Sequence, residues 1–114
     1  MAKNYLLIYA EQLATEIELL CQNIKVPSNT LFQIRKSSSS VYANIREANY
    51  ARSRTDFAAK LQIALKECYE TEYWIDLFER TCLVEKDSLK KFRHDCGAIR
   101  RMLIASINTV ENNN

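Results

Sequence analysis

Leu31 to Ala51 reads LFQIRKSSSSVYANIREANYA, and two stripes run along it at helical spacing. Leu31, Ile34, Ser38, Val41, Ile45 and Ala48 recur at alternating steps of three and four, the period of an apolar seam packed against other helices. Beside it, at the same spacing, run Gln33, Ser37, Ser40, Asn44, Glu47 and Ala51. A solvent face usually carries long charged side chains. A line of Ser, Asn and Gln therefore suggests a second helix close by, with hydrogen bonds across the contact. The other reading is an ordinary tolerant surface, since such residues are mostly exposed.

Working outward, the 114 residues suffice for one core, so residues 1–114 are expected to form a single domain. One Pro and one Gly, Pro27 and Gly97, leave almost none of the punctuation that hairpins need, so the expected class is all-α. The net charge is only +2, but it is unevenly placed. Leu31 to Lys66 holds seven bases against two acids, Glu67 to Asp87 seven acids against two bases, and the remainder five bases against two acids. These signs either pair between neighbouring helices or subunits, or present a basic surface to an anionic partner. Cys21, Cys68, Cys82 and Cys96 lack the C-x-x-C spacing of metal or redox sites and read as core fillers in a cytoplasmic chain. No apolar run is long enough to span a membrane, and YLLIY near the start has no cleavage site after it.

The first helix is predicted from about Lys3 to Asn23, with Leu6, Leu13, Ile17, Leu20 and Ile24 inward, Glu11, Glu16 and Glu18 outward, and Tyr5, Ile8 and Tyr9 widening the apolar face. Val26-Pro27 ends it, and Ser28 or Asn29 can cap a second helix running from about Thr30 to Ala51. So short a link makes the two antiparallel. Ser53, three residues before Asp56, fits a capping box for a third helix from about Arg54 to Thr81. Its seam is Phe57, Leu61, Ala64, Cys68, Thr71, Ile75, Phe78 and Cys82, flanked by Glu67, Glu70, Tyr73, Trp74 and Leu77. Trp74 reads as a packed anchor. Asp87 or Ser88 can cap a fourth helix with the seam Leu89, Phe92, Cys96, Ile99, Leu103, Ile107 and Val110, before a polar ENNN tail expected to fray. Gly97 either permits a close helix crossing or is simply tolerated. The predicted architecture is an antiparallel, up-and-down four-helix bundle.

Gln33 to Ala48, QIRKSSSSVYANIREA, resembles the signature of the bacterial four-helix-bundle proteins first recognised as reading frames inside intervening sequences of large-subunit ribosomal RNA genes. That signature is Gln-Ile-Arg, small residues, then Asn-Ile-x-Glu-Gly. Asp56 to Ile75, DFAAKLQIALKECYETEYWI, is similar to the family's third helix. Arg46 stands where the family usually has a small residue, and Ala48 where it has Gly. The resemblance implies a ring-like homopentamer and kinship with the accessory variability determinant of diversity-generating retroelements, a basic bundle that binds reverse transcriptase and nucleic acid. It also implies shared polar positions at Gln33, Arg35, Ser40, Asn44, Glu47, Lys60, Glu67 and Glu70. With Ser37, the uncharged and acidic members of that set are expected to form networks between helices or subunits.

Catalytic readings find little support. A di-iron site needs paired Glu-x-x-His motifs, and His94 is the sole histidine, expected at the surface. A serine nucleophile among Ser37 to Ser40 would have only Lys36 as a local base. One glycine excludes a phosphate-cradling loop. The expectation is a protein without enzymatic activity, metal or cofactor, and with no membrane role. Arg35, Lys36, Arg46, Arg52, Arg54, Lys60 and Lys66 are the candidates for contacting RNA or DNA, and a ring would repeat them fivefold. The alternative is a scaffold or accessory subunit whose partner is a reverse transcriptase or another protein, without nucleic acid.

Overall fold

In a computed structural model, which describes residues 4–25, 28–81 and 83–112, the apolar seams become four helices. These are α1 (Tyr5–Gln22), α2 (Ser28–Ala48), α3 (Arg54–Arg80) and α4 (Lys86–Asn112). There is no strand among the described residues. Each helix packs on the next in sequence, and α4 closes onto α1. The result measures 46 × 25 × 22 Å, its long axis close to the length of a 27-residue helix at about 1.5 Å per residue.

The register of this up-and-down arrangement is visible in cross-helix pairs. Asn4, Glu11 and Glu18 of the first segment meet Asn49, Tyr42 and Arg35 of the second, stepping by seven residues in opposite directions. Arg93 and Arg100 of α4 meet Glu79 and Glu72 of α3 in the same manner. Seven residues are two helical turns, so each pair recurs on the same flank.

All six seam residues of α2 are buried. So are Leu61, Ala64, Cys68, Thr71, Ile75 and Phe78 of α3, while Phe57 is partly covered and Cys82 lies outside the described residues. On α1 the buried set is Ala10, Leu13, Ile17 and Cys21; Leu6, Leu20, Ile24 and Tyr9 are only partly buried against it, and Tyr5 and Ile8 are exposed. On α4 the expected seam is buried except Val110, which is half-buried.

Several ends differ from expectation. Asn4 caps α1, its side-chain oxygen accepting from the Leu7 N–H at 3.1 Å, and Lys3 lies outside the described residues. Val26 and Pro27 also lie outside them. Ser28 is already inside α2, which stops at Ala48: Asn49, Tyr50 and Ala51 instead bond back three residues, a tightened end where no glycine supplies a left-handed cap. Ser53 caps α3, accepting from the Asp56 N–H at 3.0 Å. The return bond is not made, in keeping with Asp being one methylene shorter than the Glu of a full capping box. Asp87 and Ser88 lie within α4, which starts at Lys86, and its far end is helical through Asn112, with the Glu111 carboxylate accepting from Gln62 at 3.3 Å.

Gly97 makes no close helix crossing. An added Cβ would meet Arg101 Nη1 at 3.3 Å and Arg100 Nη2 at 3.7 Å, both flexible ends on its own helix. Gly97→Ala is therefore expected to stabilise the fold by about 0.5–1 kcal/mol in denaturant titration, the helix-propensity gain. Phe78→Ala, which empties a fully buried site, is expected to cost about 3–5 kcal/mol in the same measurement.

Candidate nucleic-acid interface

The flank of α2 that faces α3 carries the polar line. Ser37 is fully buried there, and so is Thr71 opposite it, with the two hydroxyl oxygens 2.8 Å apart. Both hydroxyls also reach a carbonyl on their own helix, Thr71 that of Glu67 and Ser37 that of Ile34, so neither is left unbonded in an apolar core. Ser38 likewise donates to the Ile34 carbonyl at 2.9 Å. One turn or more along α2, Asn44 donates to the Ser40 carbonyl, and Glu47 accepts from Lys60 of α3 at 3.2 Å. Gln33, Ser40 and Asn44 are half-buried on this side.

Across from them on α3, Glu67, Glu70 and Trp74 follow at steps of three and four. Glu67 Oε2 and Trp74 Nε1 are both buried without a hydrogen-bond partner among the described residues. Trp74 packs against the core, with the Tyr73 ring edge-on at 4.9 Å. Burial holds the Glu67 carboxyl above the ordinary glutamate range, and the neighbouring Glu70 carboxyl pushes it further the same way, against a weaker opposite pull from Lys36 and Lys66.

The candidate bases divide into two groups. Arg35 turns toward α1 and makes a bidentate pair with Glu18 at 2.9 and 2.5 Å, which lowers the Glu18 carboxyl below its usual range and raises the guanidinium. Lys60 is engaged by Glu47. Lys36, Arg46, Arg52, Arg54 and Lys66 are exposed, and of these Lys36, Arg46, Arg52 and Lys66 make no ion pair among the described residues. Three of the seven acids of the block are absorbed on the other side of α3. Arg93 of α4 reaches Asp76 at 2.5 Å and Glu79 at 3.1 Å, and Arg100 reaches Glu72 at 3.1 Å. Both guanidiniums are raised by these bonds.

With this geometry in hand, the chain can be set beside known proteins. The family model for the 23S rRNA-intervening sequence protein matches residues 6–105. The chain belongs to that family. Among solved structures it is similar to a protein of unknown function from the S23 ribosomal protein family of Bacteroides thetaiotaomicron, at 37% identity and a TM-score of 0.81, covering 90% of this chain and 97% of that one. Comparison with curated proteins gives no match.

Two residues escaped the sequence reading. Thr71 sits in the apolar seam by spacing, yet its hydroxyl is the buried partner of Ser37. Asp95 is buried on α4 with Oδ2 unpartnered among the described residues, and Oδ1 lies 3.6 Å from His94 Nδ1. Its place three residues after Phe92 and four before Ile99 was the available signal. His94 itself is exposed. Cys68 Sγ donates to the Cys96 carbonyl at 3.5 Å, and both thiols are buried. The adjacent Cys68 sulfur, then burial, raises the Cys96 thiol far above the usual range, which leaves it inert as a nucleophile.

Glu67 gives a pH test. Its pKa is raised in the folded state, so the folded chain holds the proton more tightly than the unfolded one. The stability it contributes is full below the ordinary value of 4.5 and is lost as pH rises through the raised folded value. Thermal melts of the wild type and Glu67→Gln are expected to nearly coincide at pH 4. The variant should melt progressively higher as pH approaches 7.

Proposed function

We propose that this protein is a non-enzymatic, self-associating four-helix bundle that binds nucleic acid, or a nucleoprotein, through the bases of α2, the α2–α3 turn and the start of α3. The observation that carries this reading is the division of charge. Glu72, Asp76 and Glu79 of α3 are engaged by Arg93 and Arg100 of α4, so those three do not neutralise Lys36, Arg46, Arg52 and Lys66, which make no ion pair among the described residues. Cations left in water on one side favour a polyanion, with affinity that falls as salt rises. The chemistry of Ser37 and Ser38 fits a non-enzymatic role, because both hydroxyls are already committed to the Ile34 carbonyl.

Self-association, as the homopentamer that the family resemblance implies, is supported by the open edge between α2 and α3. Half-buried Gln33, Ser40 and Asn44 offer polar groups that a second subunit would bond, and on the facing helix Glu67 Oε2 and Trp74 Nε1 are buried without hydrogen-bond partners among the described residues. A second reading, a cytoplasmic protein scaffold, is supported by Ile63 and Tyr73, large apolar side chains exposed on α3, Tyr73 in ring contact with Trp74. No helix is long and apolar enough to cross a membrane.

Light scattering coupled to size exclusion, followed by salt titrations against labelled RNA and DNA, separates the readings. Arg52→Glu with Arg54→Glu is expected to leave the assembled mass unchanged. The same pair should weaken binding to any sequence and flatten the salt slope by about 1.8 on a duplex, if each base contacts one phosphate. Failure of the wild type to bind either nucleic acid at near-physiological salt would select the scaffold.

A further inference from the structure

Two flanks of α2 are taken up by neighbouring helices. Arg35 and Tyr42 reach Glu18 and Glu11 of α1, while Ser37 and Glu47 reach Thr71 and Lys60 of α3. Between these flanks an outward line recurs at steps of three and four: Phe32, Lys36, Ser39, Ala43, Arg46 and Tyr50. It is aromatic at both ends, with Phe32 57% exposed and Tyr50, just past the helix end, 80% exposed. Within it stand two cations without ion pairs among the described residues, and at its centre two small residues keep the surface low. No acid lies on the line. Eighteen residues separate Phe32 from Tyr50, about 27 Å at the helical rise.

The two components of the line make different demands on a nucleic acid. Cations follow a phosphate backbone whether the strand is single or paired. Exposed aromatic faces accept unstacked bases, which only a single strand offers, because duplex bases are already stacked on one another. A protein partner would need acids placed to meet both cations as well as apolar groups for both rings, whereas any single strand carries phosphates and bases together. We infer that the outward line of α2 binds single-stranded nucleic acid, its phosphates at Lys36 and Arg46 and its bases stacked on Phe32 and Tyr50. This rests on the nucleic-acid reading above and specifies the strand state that reading leaves open.

Fluorescence anisotropy tests it with the full chain and labelled strands of about twelve nucleotides, within the usual site sizes. Single-stranded RNA, single-stranded DNA and a duplex of the same sequence are each titrated at several salt concentrations. Phe32→Ala and Tyr50→Ala are each expected to weaken single-strand binding about tenfold with the salt slope unchanged, and to leave duplex binding alone. Lys36→Ala with Arg46→Ala is expected to flatten the single-strand slope by about 1.4. Tyr69→Ala, at an aromatic of α3 exposed about as much as Phe32, should change nothing and controls for a general loss of surface. All the substituted positions are exposed, and thermal melts confirm folding.

Aromatic variants that bind single strands as well as the wild type, while the basic variant weakens, would overturn this inference and leave the broader nucleic-acid reading standing. A wild type that binds neither single strands nor duplex would overturn both. A change in assembled mass on Phe32→Ala or Tyr50→Ala would place the line in a contact between copies and overturn the single-strand assignment.

Discussion

The hydroxyl pair of Ser37 and Thr71 sits at the tightest chemical constraint in the bundle. Two polar groups with no solvent exposure must find partners or cost roughly 1–3 kcal/mol each, and here they find each other and their own helix backbones. That arrangement requires α2 and α3 to hold one rotation and one register. Given it, Glu47 falls opposite Lys60 and Trp74 falls beside the polar line. The apolar seams alone would tolerate small slides, since Leu, Ile and Val contacts are non-directional. Directional bonds remove that freedom.

Much of this was legible in the sequence because periodicity is a local property. The six-residue seam of α2 is buried in full, and the four helices fall where scarce Gly and Pro and apolar spacing put them, although of the expected caps only Ser53 holds its place. Partnerships were less legible, because they depend on how each helix is rotated about its axis. Arg35 and Lys36 are neighbours in one basic cluster by sequence. A rotation of about 100° between successive residues sends Arg35 to a carboxylate on α1 and leaves Lys36 in water. The same geometry engages Lys60 and spares Lys66. Spacing also put Thr71 among the apolar residues, since it reports the face a residue lies on and nothing about the hydroxyl it meets there. The premature end of α2 was hidden for a related reason: Asn49 to Ala51 continue the helical pattern in composition, and only the backbone bonds show the tightening.

The ion pairs matter more for where charge is left over than for stability. Exposed pairs contribute about 0–1 kcal/mol each. The α3–α4 pairs nonetheless settle which acids remain to oppose the bases of α2, and the answer is few. Glu67 and Glu70 stay on the α2 side, where burial raises the Glu67 carboxyl above its ordinary range and Lys36 and Lys66 pull it the other way.

An even number of antiparallel helices has a geometric corollary. Asn4, where α1 begins, is hydrogen-bonded to Asn49, and Glu111, near the end of α4, reaches Gln62 close to the start of α3. Both ends of the fold therefore converge on the pole that carries the α2–α3 turn, with Arg52 and Arg54. Anything joined covalently to either end, from a purification tag to a further domain, would crowd that pole. The opposite pole, where α1 and α3 end and α2 and α4 begin, would remain clear, and a reporter grafted there would watch the basic turn without touching it.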